Sequence, residues 1–191
     1  MMLQLQVMGC HNVNLVSPTH VVPNILAAVT LAAKQGLNIP LVYNTGGYDS
    51  LETIRLLDGV VDIYMPDMKY GEPAPAKEFS LAPDYPEVNF AAVKEMHRQV
   101  GDLVLDQNGV AVRGLLVRHL VLPGGLAGTE KVMQFIAENI SKETYVNIMA
   151  QYRPYYQATG HPVLGRRVTA KEYRDALDIA CRAGLYRVQA L

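Results

Sequence analysis

A chain of 191 residues, half of them hydrophobic and 18% charged, is a folded protein rather than a disordered one. Seventeen Lys and Arg against eighteen Asp and Glu leave a formal charge of -1, so the balance gives no electrostatic reason for a nucleic-acid partner. Cys10 and Cys181 make neither a disulfide framework nor a metal cluster and suit a reducing cytoplasm, and no uninterrupted apolar stretch reaches the ~18–20 residues that cross a bilayer.

Short apolar, β-branched runs alternate with segments of helical period along the chain. MMLQLQVMG reads as the last turns of a helix and feeds into a strand, VNLVS (13–17). A helix over 23–36 follows, closed by Gly36; its sequence, VVPNILAAVTLAA onward, reads as a helix of a soluble core. The strand PLVYN (40–44), a short helix over 50–57 and the strand VVDIYMP (60–66) come next. A long Pro-rich loop leads to a helix over 86–101, with proline at its start and glycine at its end. DLVLDQNGVAVRG predicts a β-hairpin turning at Asn108-Gly109, which runs into the strand GLLVRHLVLP (114–123). A helix from about Thr129 to Asn139, the strand YVNIMAQY (145–152) and a helix over 169–184 complete the alternation, before a last short strand LYRVQ. Thr169 with Glu172 three residues on predicts a capping box for that helix.

Apolar strands separated by amphipathic helices mean parallel strands covered by helices. The expected fold is α/β: one domain over 1–191, a partial (β/α)6 TIM-like barrel with a β-hairpin insertion. A βα fold that opens on a helix tail leads us to expect that an N-terminal βα unit is missing, which leaves an open edge where a second copy could pair.

In βα folds the functional groups gather beyond the C-terminal ends of the strands. Those ends read SPTH (17–20), NTGGY (44–48), PDMKY (66–70), HLVLPGG (119–125) and AQYRP (150–154). Asp67 and Lys69 lie two apart and share a strand face, either as a rim salt bridge or as a ligand-facing pair. Gly46-Gly47 is either a flexible turn or a close approach of backbone to a ligand. His20 is a cap, a surface histidine or a binding residue. Arg118 and His119 alternate, so one of them faces the barrel interior, and a guanidinium at Arg153 suits a carboxylate or phosphate. No Walker loop, GxGxxG, HExxH or GxSxG is present, and no His, Asp and Glu cluster has metal-ligand spacing.

The segments GCHNVNLVSPTHVVPNI, LVYNTGGYDS, VVDIYMPDMKY, GLLVRHLVLPG and NIMAQYRP, in this order, resemble the radical S-adenosylmethionine (radical SAM) superfamily, in a branch related to the pyruvate formate-lyase activating enzymes. The resemblance implies S-adenosylmethionine bound at the strand C-termini. Ser17, Thr19 and His20 stand in the place of the superfamily's Gly-Gly-Glu-Pro segment, and Asn44, Thr45, Gly46 and Gly47 in that of an Asp-Thr-Asn-Gly turn near the ribose. Met65, Asp67 and Lys69 match a Met-x-Asp-x-Lys pattern, which implies a monovalent cation near Asp67 and the methionine carboxylate at Lys69. Tyr152 is a further cofactor-binding candidate on the same basis, and His119, from the alternation along its strand, is another. The superfamily's Cys-x3-Cys-x2-Cys loop is absent, so the resemblance implies a [4Fe-4S] cluster in the full-length protein only. The chain then corresponds to the C-terminal part of a protein whose 5′-deoxyadenosyl radical takes hydrogen from a glycine of a protein substrate, and it is expected to be inactive alone. Two other readings stand beside it: a Schiff-base lyase with Lys69 as nucleophile, and a non-catalytic binding module.

Overall fold

Two hydroxyls decide where helices begin. Thr169 accepts from the Glu172 backbone while the Glu172 side chain returns to the Thr169 N–H, the capping box predicted from the sequence, and Ser50 accepts from the Thr53 N–H. The computed structural model describes residues 1–190. In chain order the elements are α1 (Met2–Val7), β1 (Val13–Val16), α2 (Val22–Ala33), β2 (Leu41–Thr45), α3 (Leu51–Leu56), β3 (Ile63–Pro66) and α4 (Pro73–Ser80). There follow α5 (Tyr85–Val100), β4 (Val104–Leu105), β5 (Ala111–Leu120), α6 (Thr129–Phe135), β6 (Tyr145–Met149), α7 (Ala170–Arg182) and β7 (Val188–Ala190).

The strands lie in the order β1-β2-β3-β5-β6-β7, every neighbouring pair parallel, and β4 adds to β5 antiparallel. The sheet does not close: this is a partial TIM-like barrel with the expected hairpin. At the hairpin turn Asp106 accepts from the N–H groups of Asn108 and Val110.

Alternation along each strand divides the side chains between two faces. Tyr43, Tyr64, Leu115, Val117, Val146 and Ile148 point outward and are buried under α3, α5, α6 and α7, forming the main core. Each such residue taken fully from water contributes about 1.5–3 kcal/mol. The two phenols in this core are satisfied, Tyr43 donating to Asp49 at 3.0 Å and Tyr64 to Gln99 at 2.7 Å. The opposite, concave face carries Val42, Ile63 and Leu116 near one end, and polar groups toward the C-terminal end.

Two stretches differ from expectation. Residues 73–80, expected as loop, form α4, because Pro73 and Pro75 occupy the first turn, where a helix needs no N–H from them. α2 was expected as a core helix, yet only Val22 and Ala32 are buried and Leu31 is 61% exposed, since it lies beside the edge strand β1. Among the described residues no helix is long and apolar enough to cross a membrane.

Candidate functional site

β3 delivers the central pair. Past Pro66 the backbone keeps its pairing, Asp67 N–H donating to Thr45 O at 2.9 Å and Met68 N–H to Arg118 O at 2.8 Å. Met68 therefore turns into the core, fully buried, while Asp67 and Lys69 face the concave side. Lys69 Nζ donates to Asp67 Oδ2 as an ion pair. Arg118, from β5, places Nη2 2.7 Å from Asp67 Oδ1, an ion pair without hydrogen-bond alignment, and its Nε is buried with no partner. One carboxylate thus holds two fixed cations. These groups line a cleft of about 300 Å³ with Leu120, Met149, Gln151, Tyr152 and Arg153.

The loop after β2 is held against this pair by α5. Asn89 donates to Gly47 O and to Asp67 O, both at 2.9 Å. Tyr85 OH accepts from Lys69 N–H at 3.0 Å and lies 2.9 Å from Gly46 O and 3.1 Å from Asp67 O. Its burial, chiefly, pushes the phenol's pKa up, so it remains a hydrogen-bond donor. Gly47 has φ +77, and a Cβ there would lie 2.2 Å from Asp67 O. Its smallness serves this backbone contact. At Gly46 a Cβ would meet only Lys69 Nζ, at 3.6 Å, so the Gly46 backbone and the ammonium border the same open space.

Asp49 anchors the β1 and β2 ends. Fully buried, it accepts from Thr19 Oγ1 at 2.7 Å, Tyr43 OH at 3.0 Å and Thr45 Oγ1 at 2.6 Å. Thr45 in turn accepts from Gly47 N–H at 3.1 Å. Thr19 and Thr45 therefore act here as links to Asp49.

The structure brings Thr45, Gly46, Gly47, Asp67 and Lys69 into one neighbourhood, with Tyr152 on the far wall, its OH donating to Leu164 O at 3.0 Å. Asn44 stands opposite Met65 on the concave face. Ser17 (φ 51) and His20 are exposed beyond β1; the Ser17 N–H donates to Asn44 O at 2.8 Å, and neither side chain reaches the Asp67–Lys69 pair. His119 is not among them either: Arg118 takes the inward position, so the next residue points outward. Fully buried, His119 donates from Nδ1 to Met68 O at 2.7 Å and accepts at Nε2 from Thr129 Oγ1 at 2.9 Å. Burial lowers its pKa to about 4, and it stays neutral. Asp49, Tyr85 and Asn89 were not singled out from the sequence; their partners lie 4 to 42 residues away.

A cation at Asp67 would have to displace Lys69 or Arg118 from the carboxylate. Among the described residues no group of three His, Cys, Asp or Glu is placed to hold a metal, and Cys10 and Cys181 are both free.

No family model matches the chain. It is 35% identical over 172 residues, 88% of its length, to the uncharacterised protein MJ0674 of Methanocaldococcus jannaschii. It spans 46% of that protein, about half of the curated relative it matches. Its fold is similar to a domain of the pyruvate-formate lyase-activating enzyme from Bacteroides vulgatus, with a TM-score of 0.61, 12% identity, and coverage of 93% of this chain and 96% of that one. At that identity the likeness is one of fold.

Proposed function

We propose that this chain is the S-adenosylmethionine-binding part of a radical SAM protein of the activating-enzyme kind, whose [4Fe-4S] cluster is held by a segment outside this sequence. The carrying observation is the Asp67–Lys69 pair at the C-terminal rim of parallel strands, facing the open backbone of Gly46. The resemblance in Met65-x-Asp67-x-Lys69, the fold of the activating-enzyme domain and a relative more than twice the matched length support the reading.

The residues present fit S-adenosylmethionine. Lys69 keeps 41% of its side chain exposed, and Gly46 leaves room for a ligand against the main chain. They do not fit the cluster, because two free cysteines at distant positions cannot supply three thiolates. When bound, S-adenosylmethionine supplies a sulfonium open to one-electron cleavage. This chain's own residues bind and orient. Lys69 holds the methionine carboxylate, Asp67 fixes the direction of Lys69, and Tyr85 and Asn89 keep the two loops in register. The cluster-bearing segment would add its strand along the open side of β1, and a protein substrate would approach the same mouth. A Schiff-base lysine is less favoured, since Lys69 would have to surrender its ion pair with Asp67 before attacking a carbonyl.

The gene tests the cluster half of the proposal. An in-frame Cys-x3-Cys-x2-Cys is expected upstream of Met1, or in a neighbouring gene whose product co-purifies with this chain. Its absence from both would overturn the radical reading.

A further inference from the structure

We infer that the β5–β6 wall of the cleft is a second binding site, built for the phosphate or carboxylate of a small molecule. Three cations, Lys69, Arg118 and Arg153, face this cleft against one carboxylate, Asp67. Lys69 and Arg118 share that carboxylate, and among the described residues Arg153 has no ion-pair partner. Two positive charges therefore go uncompensated in a half-enclosed space, where they repel each other more strongly than they would in bulk water. An anion between them relieves this repulsion.

Unmet hydrogen bonds point the same way. Among the described residues Arg118 Nε is a buried donor without an acceptor, and Asp67 Oδ1 and Asn147 Oδ1 are buried acceptors without a hydrogen-bond donor. Arg118 and Asn147 stand directly opposite each other across β5 and β6. Buried polar atoms are satisfied in folded proteins as a rule, so two orphans on one cross-strand pair mark a place that a ligand completes. A planar guanidinium suits two oxygens of a carboxylate or phosphate, and a protonated phosphate oxygen could also donate to Asn147. Leu120 and the Tyr152 ring add an apolar wall, which fits a short organic body behind the anionic head.

This inference does not rest on S-adenosylmethionine: of the three cations only Lys69 is among that ligand's proposed contacts, and Arg118 and Arg153 are not. The test is titration with inorganic phosphate and, separately, acetate at constant ionic strength, followed by amide NMR shifts of the chain. Saturable shifts around Arg118, Asn147 and Arg153 are expected. Arg153→Gln, at an exposed position, should weaken binding about tenfold or more, as loss of a charged hydrogen bond does. Arg118→Gln should do the same, while Arg174→Gln, on the exposed face of α7, should change nothing. The tighter of the two anions identifies the head as phosphoryl or carboxyl. No saturable shift with either anion, an unaltered affinity in Arg153→Gln, or an equal loss in Arg174→Gln would overturn the inference. S-adenosylmethionine binding, measured on the same variants, reports only on the earlier proposal.

Discussion

Gly46 and Gly47 are adjacent, yet the structure asks different things of them. Gly47→Ala drives a Cβ into Asp67 O and Asn89 Nδ2, at a φ that side chains rarely adopt, and should cost roughly 2–4 kcal/mol in urea unfolding. Gly46→Ala should leave stability nearly unchanged but weaken S-adenosylmethionine, because its methyl would enter only the space beside Lys69. If Gly46→Ala binds S-adenosylmethionine as tightly as wild type, Gly46 has no special place at the ligand. His119 makes a pH prediction. Its folded pKa of about 4 lies below the ordinary 6.5, so between those values the unfolded chain binds the extra proton. Its contribution is fully present above pH 6.5 and is lost as pH falls toward 4. Wild type should lose about 2 kcal/mol between pH 7 and pH 5, and His119→Phe should flatten that slope. Sequence alone left Arg118 and His119 equivalent, since alternation says that one residue faces inward but not which. The pair Asp67 and Lys69 was legible because a spacing of two fixes a common face on a strand whatever its register.

At the level of elements, punctuation was easier to read than burial. Thr169→Ala should lower the stability of α7 by about 1 kcal/mol, read as a fall in melting temperature. Glu172→Gln should cost more, because this carboxylate also accepts from Gly124 N–H and pairs with Arg166, tying α7 to the loop after β5. Arg166, above all, holds its pKa well below the usual carboxylate range. The capping box and the Asn108-Gly109 turn were readable because each is decided within a few residues. α4 was not, because prolines that end most helices are harmless in a first turn. The exposure of α2 was not either, because an apolar sequence does not say whether an element lies inside a sheet or at its edge. The α5 clasp of Tyr85 and Asn89 joins loops far apart in the chain, and no local pattern announces such contacts.

At the scale of the whole molecule, six parallel strands set their C-terminal ends along one rim, and the sheet stays open beyond β1. That rim puts a carboxylate, an ammonium and a guanidinium within one cleft, with an open glycine backbone beside it. The strand and helix alternation and the fold class were visible in the sequence, because both follow from hydrophobic period; which strand ends meet in the cleft was not, since residues 17–20 lie outside it. Which ligand the rim takes is a matter of chemistry that period does not carry. Titration calorimetry of this chain with S-adenosylmethionine tests the central claim most directly. Saturable binding of one ligand per chain is expected, weakened tenfold or more in Lys69→Met by loss of a charged contact. Absence of binding, or binding that Lys69→Met leaves unchanged, would contradict that claim.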